Sequence, residues 1–267
     1  MPVFFFALSQ VSHINYGKAA LVFIILHFIM YPASNGYNSY MDRDEESIGM
    51  LEKPPAPTRQ LFYLTLVMDV LAALLSFLVN IPFAICIIAN IIASRAYSYR
   101  GIRLKKYPVW GFLTVVLFQG AITYYMVFAG ASAMPPGTPW MGMLISLFLF
   151  GGFYPLTQIY QHEQDRKDGV RTISYMLGLN GTFLFSAIMY LLAEVFLFIY
   201  FSGRGQLLHF FLLLLFLSPV VLYFFYWWMQ VRKDGANANF RLSLRMNVIA
   251  ASCTNLGFIV LYLLNHF

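Results

Sequence analysis

Two short stretches carry most of the acids in this chain. The first, NGYNSYMDRDEESIG, runs from Asn35 to Gly49 and holds Asp42, Asp44, Glu45 and Glu46, with Glu52 just beyond it. The second, YPLTQIYQHEQDRKDGVRT, runs from Tyr154 to Thr172 and holds Glu163, Asp165 and Asp168. Eight of the 11 carboxylates therefore fall in two places. In the first stretch Asn38, Asp42 and Glu46 are spaced by four, which stacks them on one helical face. In the second, Gln158, Gln161 and Asp165 also share a face at helical spacing. One mixed-charge loop reads as a solvated turn; two acid-bearing helix ends on the same side of a bundle would converge over a common cavity. Carboxylate and amide oxygens suit Mg²⁺, which is usually held by one or two carboxylates together with substrate phosphates. The interleaved lysines and arginines would then be phosphate counter-charges. A diphosphate bridged by Mg²⁺ leaves readily, because the metal neutralises the charge that develops as the C–O bond breaks. With a hydrophobic tail on that diphosphate, the expected chemistry is ionisation of a prenyl diphosphate at a membrane surface.

The elements that must position these acids follow from composition. The 267 residues are 60% hydrophobic and 18% aromatic but only 10% charged, whereas a soluble domain carries about 25% charge. Too few polar residues are present to coat a water-soluble globule, so lipid is the expected solvent. Apolar runs recur over Lys18 to Tyr40, Leu61 to Asn80, Pro82 to Tyr97, Val109 to Ala133, Trp140 to Tyr160, Ile173 to Phe201, Leu208 to Val231 and Leu242 to Leu264. Backbone groups in hydrocarbon must be paired within each segment, so these runs are expected to be helices. The apolar start, Met1 to Val11, lacks a basic region and a small-residue cleavage site and is not read as a signal peptide. It is too short to span a bilayer, which takes about 20 residues. The expected fold is thus an all-α polytopic membrane protein, a bundle of about nine transmembrane helices with the first short or truncated. Either the chain opens inside that helix or a preceding piece is missing. No linker or composition shift marks a second domain, so residues 1–267 are expected to form one transmembrane domain.

The basic residues report orientation. Fifteen of the 17, all but Lys18 and Arg204, fall at the connections after the second, fourth, sixth and eighth segments, which by the positive-inside rule are cytoplasmic. Topology alone thus accounts for the formal charge of +6, and no nucleic-acid role is expected. Cys86 and Cys253 lie inside apolar runs without partner spacing, which excludes a disulfide or zinc framework.

At its acidic stretches the chain resembles the UbiA superfamily of intramembrane prenyltransferases, which have nine transmembrane helices and two acidic motifs, one after the second helix and one after the sixth. The first family motif reads Asn-Asp-x-x-Asp-x-x-x-Asp, and its places fall on Asn38, Ser39, Asp42 and Glu46. Ser39 replaces an acid and Glu46 is a conservative change. The second motif has two acids four apart, then Gly and Lys/Arg-Thr/Ser; its places fall on Gln161, Asp165, Gly169, Arg171 and Thr172. Gln161 retains a carbonyl oxygen but brings no charge. The resemblance implies Mg²⁺ and diphosphate coordination by Asn38, Asp42, Glu46, Gln161 and Asp165, with Glu163 as a supplement and Asp42 and Asp165 as the catalytic pair. Lys53 before Pro54, and Arg103, Lys105 and Lys106 in AYSYRGIRLKKYP, are similar to the family's basic residues, and Arg171 belongs to the second motif. The implied reaction transfers a polyprenyl group to a lipophilic acceptor, aromatic or quinone-precursor in type, in a bacterial inner or cell membrane with the active-site loops cytoplasmic. A cyclase using the same ionisation and a non-catalytic transporter or scaffold are the alternatives, the latter favoured by Ser39 and Gln161.

Other residues have two readings. Asp69 and Glu194 lie within apolar segments, where an ionisable group is costly. Each reads either as a base or headgroup ligand for the acceptor, or as a protonated or paired packing residue. Asn90, Gln119 and Asn180 read as interhelical bridges. Tyr40, Tyr97, Tyr154 and Tyr160, at the ends of the motif-bearing helices, are candidates to face an allylic cation, although interfacial belts also favour tyrosine. His162 reads as a loop histidine.

Overall fold

The computed structural model describes residues 2–43, 52–134 and 137–267. Among them, eight helices are long and apolar enough to cross a membrane. A short helix α1 (Pro2–Ser9) precedes them. The spans are α2 (Tyr16–Asp42), α3 (Arg59–Ser76), α4 (Ile81–Ser98), α5 (Pro108–Ala131), α6 (Trp140–Gln158), α7 (Ile173–Ser202), α8 (Leu207–Lys233) and α9 (Phe240–His266). At eight residues α1 cannot span. Its Phe4 and Phe6 are buried, Phe6 stacking on Phe258 of α9 and meeting Tyr124 of α5 edge-on. The all-α membrane bundle with a short first helix expected from the sequence is therefore the architecture found.

Hydrocarbon as solvent shows in what the bundle leaves uncovered. Leu208, Leu215 and Leu222, seven apart on one face of α8, are 68%, 67% and 71% exposed. Seven residues are close to two helical turns, so the three form one apolar stripe turned away from the protein. Side-chain caps start the helices where polar residues precede them: Asn15, Thr58, Asn80, Thr172 and Asn239 each accept a backbone N–H of the first turn. Pro82 occupies the first turn of α4, as its position after a tight turn predicts.

Interhelical polar contacts lie mainly at the two ends of the bundle. At the end where α1 terminates, Asn15 N–H donates to Ala131 O at 2.8 Å, Asn80 Nδ2 to Ala129 O at 2.8 Å and Asn265 Nδ2 to Ser9 O at 2.8 Å. At the opposite, charged end, Arg100 Nε donates to Met41 O at 2.8 Å and Trp227 Nε1 to Asn237 O at 2.9 Å. Within the bundle, Asn90 and Asn180 bridge helices as expected, Asn90 Nδ2 donating to Phe118 O at 3.4 Å and Asn180 Oδ1 accepting from Trp228 Nε1 at 3.2 Å. α5 and α6 approach closely, since a Cβ on Gly120 would stand 2.8 Å from Ser146 O.

Two of the spans contain π-helical turns, Ile25–Met30 in α2 and Val116–Ile122 in α5. Phe118 O, in the second of these, accepts from both Asn90 and Thr123 Oγ1. α7 is broken one turn and a half after its start, where Gly178 has φ 69° and ψ 177°. Backbone of that shape is essentially restricted to glycine. Thr182 Oγ1 donates to the Gly178 carbonyl at 2.7 Å and lies 3.0 Å from Ser174 Oγ, so the break is satisfied from within. Replacing Gly178 with alanine is expected to cost about 1–3 kcal/mol through strain at this one residue. Thermal unfolding in detergent measures it, and an unchanged midpoint would show that the break relaxes freely.

Candidate functional site

The charged end of the bundle gathers the acids. Asp42 is the last residue of α2, because Arg43 turns into the left-handed region at φ 55° and its N–H caps Ser39 O at 3.0 Å. The Asp42 side chain is only 3% exposed and forms an ion pair with Lys105. Arg103 Nη2 stands 3.9 Å from the same oxygen and also pairs with Asp168 of the second acidic stretch. One guanidinium therefore joins the two stretches. Arg103 itself has φ 50°, uncommon for a residue with a side chain, at the entrance to the turn Leu104–Lys106. One helical turn before Asp42, Asn38 Oδ1 accepts from Ser98 Oγ at 2.7 Å, which fixes the amide against the end of α4.

The second stretch is built differently from its sequence pattern. α6 ends at Gln158, and a separate helix, His162–Lys167, follows. Gln158, Gln161 and Asp165 thus do not share the face of one continuous helix, as expected from their spacing; the chain bends between them, and Gln158 is buried while Gln161 begins the next turn. Asp165 takes part in a local loop closure: its N–H donates to Gln161 O at 2.8 Å, its carbonyl accepts from Val170 N–H at 2.8 Å, and its Oδ2 accepts from Thr172 Oγ1 at 3.2 Å. His162 is helical and half-buried, where a loop position was expected, with Nε2 2.7 Å from Ser174 Oγ. Burial pushes its imidazole below the ordinary histidine value, so it is neutral at pH 7 and links the short helix to the Ser174–Thr182 pair at the break in α7.

Between the stretches, Tyr97 of α4 and Tyr154 of α6 share a hydrogen bond. Asp42 and Asp165 both lie within electrostatic reach of this pair, which brings the two acids to one locus. Of the four tyrosines singled out by position, these two meet; Tyr40 packs on Phe62 and Tyr160 on Phe240.

The remaining sequence-derived residues divide. Lys53 and Arg171 are exposed at the charged end, Arg171 joined to the Arg103 loop through its N–H on Lys106 O at 3.4 Å. Glu163 forms an exposed pair with Lys167 at 3.6 Å. Glu46 lies outside the described residues; of the expected stack, Asn38 and Asp42 stand in the last turn and a half of α2. Asp69 takes its packing reading: it pairs with Arg95, whose guanidinium lies 3.7 Å above the ring of Tyr37. Arg95 is accordingly a partner inside α4 and not a loop charge.

A cavity of about 540 Å³ lies inside the bundle. Its walls are mostly apolar and aromatic, including Phe150, Phe153 and Phe224, with Asn35, Gln119 and Glu194 among the polar exceptions. Gln119 faces this space, where a helix bridge was expected. Asn35 is seven residues before Asp42, so the lining of the cavity comes within roughly 10 Å of that acid along α2. Asn35, His27 and Tyr31 went unremarked in the sequence. The signal was present, however: His27, Tyr31, Asn35, Asn38 and Asp42 form one stripe of three- and four-residue steps down an apolar helix.

Chemically, the site offers carboxylate and amide oxygens beside two cations, at the end of a helix that also lines an apolar space. Lys105→Met is expected to destabilise the protein by about 3 kcal/mol, because it leaves a buried carboxylate facing one distant guanidinium. Adding Asp42→Asn should recover most of that loss. Additive effects in the thermal unfolding of the single and double variants would rule out the coupling.

Comparison with known proteins follows the same lines. The UbiA prenyltransferase family matches residues 1–249. The 33 kDa chain of bacteriochlorophyll synthase from Cereibacter sphaeroides is 29% identical over 154 residues, covering 54% of this chain and 50% of that protein, so the match spans half the length of this curated relative. A UbiA homologue from Archaeoglobus fulgidus, solved with DMAPP and Mg²⁺, superposes with a TM-score of 0.68 at 18% identity over 97% of this chain and 93% of that one. Digeranylgeranylglyceryl phosphate synthase gives 0.64 at 20% identity over 98% and 91%, and a UbiA homologue from Aeropyrum pernix K1 gives 0.62 at 17% over 97% of both. At such identities the structural likeness speaks for the fold. The family match, covering both acidic stretches and seven of the eight spans in full, identifies the chain as a member of the UbiA prenyltransferase family.

Proposed function

We propose that residues 1–267 act as one transmembrane domain that transfers a prenyl group from its diphosphate to a lipophilic acceptor, with Mg²⁺ as cofactor and the charged end facing the cytoplasm of a bacterial cell. The observation that carries this reading is the position of Asp42: a nearly buried carboxylate neutralised by Lys105 and approached by Arg103, on the helix whose Asn35, seven residues earlier, lines an apolar cavity. Both cations are the kind of partner a diphosphate requires.

The residues fit Mg²⁺. Mg²⁺ is usually held by one or two carboxylates together with substrate phosphates, so the few protein oxygens here suffice. Asp42 Oδ1 is buried and paired with Lys105, and it would become a metal ligand once that lysine turns to the diphosphate. Asp42 and Asp165, with the amide oxygens of Asn38 and Gln161, would hold the ion, joined by Glu46. Bound Mg²⁺ would supply neutralisation of the charge developing on the departing diphosphate.

The chain's own groups account for the rest. Arg103 and Lys105 would exchange their carboxylate partners for diphosphate oxygens, and Lys53 and Arg171 would extend the positive field at the entrance. The prenyl chain would lie in the cavity, whose aromatic walls exclude water from an allylic cation and present ring faces to it. The relatives support this substrate class: homologues from Archaeoglobus fulgidus are described bound to DMAPP and to GPP with Mg²⁺. An acceptor of aromatic or quinone-precursor type fits the same lipophilic space.

Diphosphate release from prenyl diphosphates of several lengths, with and without Mg²⁺, tests the reading. Turnover is expected only with Mg²⁺ and should fall by about 10²-fold or more in Asp42→Asn and Asp165→Asn. Turnover that ignores the metal, or none at any length, would overturn it. A cyclised hydrocarbon formed without any acceptor would instead assign the same ionisation to a cyclase.

A further inference from the structure

The cavity is polar again at its deep end. His27 lies fifteen residues before Asp42, roughly 20 Å along α2, and Glu194 lies eight residues before the far end of α7. Both line the cavity. Three polar side chains of its wall have protein partners: Tyr31 OH and Thr123 Oγ1 lie 2.9 Å apart, and Thr254 donates to Ala250 O. Glu194 Oε2 and His27 Nε2 differ from these three, being buried with no hydrogen-bond partner among the described residues. Buried polar atoms are nearly always satisfied, so two orphans on one cavity point to a ligand.

Their chemistry narrows what that ligand carries. His27 Nδ1 is 3.1 Å from Phe23 O and must be the donor in that contact, which leaves Nε2 of the neutral ring as an acceptor. The Glu194 carboxyl oxygen, on the wall of the same cavity, also accepts. A hydrocarbon terminus satisfies neither atom, so the tail of a prenyl diphosphate is not the group recognised here. No Lys or Arg lines the cavity among the described residues, so an anionic head would be left unpaired in a low-dielectric space. A hydroxyl donates to either acceptor and also accepts from the carboxyl group if that is protonated. We propose that Glu194 and His27 form a recognition subsite, at the end of the cavity remote from the diphosphate, for an uncharged hydroxyl group on the lipophilic acceptor. This rests on the transferase reading for the word acceptor, but the subsite itself does not depend on it. Its distance from Asp42 makes it a determinant of specificity and not of the bond-breaking step.

Hexadecanol, hexadecane and palmitate serve as probes of one chain length, with affinities measured by titration of the purified full chain in detergent. One neutral hydrogen bond in a dry site predicts that the alcohol binds about tenfold more tightly than the hydrocarbon. Palmitate should gain nothing over hexadecane. Glu194→Leu and His27→Phe, each checked for cooperative thermal unfolding, should bring the alcohol preference down towards unity. Equal affinity of wild type for alcohol and hydrocarbon overturns the proposal, as does a preference that survives both variants. Wild-type protein that retains the alcohol preference but releases no diphosphate with Mg²⁺ would uphold the subsite while overturning the transferase reading.

Discussion

A carboxylate at the border of hydrocarbon and water must keep cations beside it, and much of the charged end is arranged around that need. Asp42 closes α2 with almost no exposure, and it is tolerated because Lys105 and Arg103 reach it from the connection between α4 and α5. Arg103 then extends to Asp168, so the neutralisation of one acidic stretch is tied to the position of the other.

The rest of the bundle holds this arrangement in place by backbone devices that hydrocarbon permits. The break at Gly178 lets α7 start in a different direction from its main body, and its freed carbonyl is satisfied by Thr182. Ser174 passes the connection to His162 and so to the short helix that carries Asp165. In α5 the π-helical turn offers Phe118 O to Asn90 and Thr123. Non-helical backbone at membrane depth is stable only where such internal partners exist.

Much of this was legible in the residues themselves. Helix number and order follow from apolar run length, and the single charged end follows from where fifteen bases lie. The two acidic stretches were found because charges are rare in this chain. Spacing of three or four residues implies a shared face only while the helix continues, and α6 ends at Gln158, before Gln161 and Asp165 are reached. Asp69 was ambiguous until Arg95, one helix away, was found beside it.

What the sequence determined alone is the solvent, the helices and the separation of charge to one end, because each depends on local composition and on the cost of unpaired groups in lipid. Which acid meets which base was decided only by tertiary structure. Asp42 and Lys105, or Arg103 and Asp168, are separated by more than sixty residues, and no local rule relates them. The same holds for the cavity: His27 and Glu194 face one space because α2 and α7 are packed around it, and a space has no residues of its own to be read.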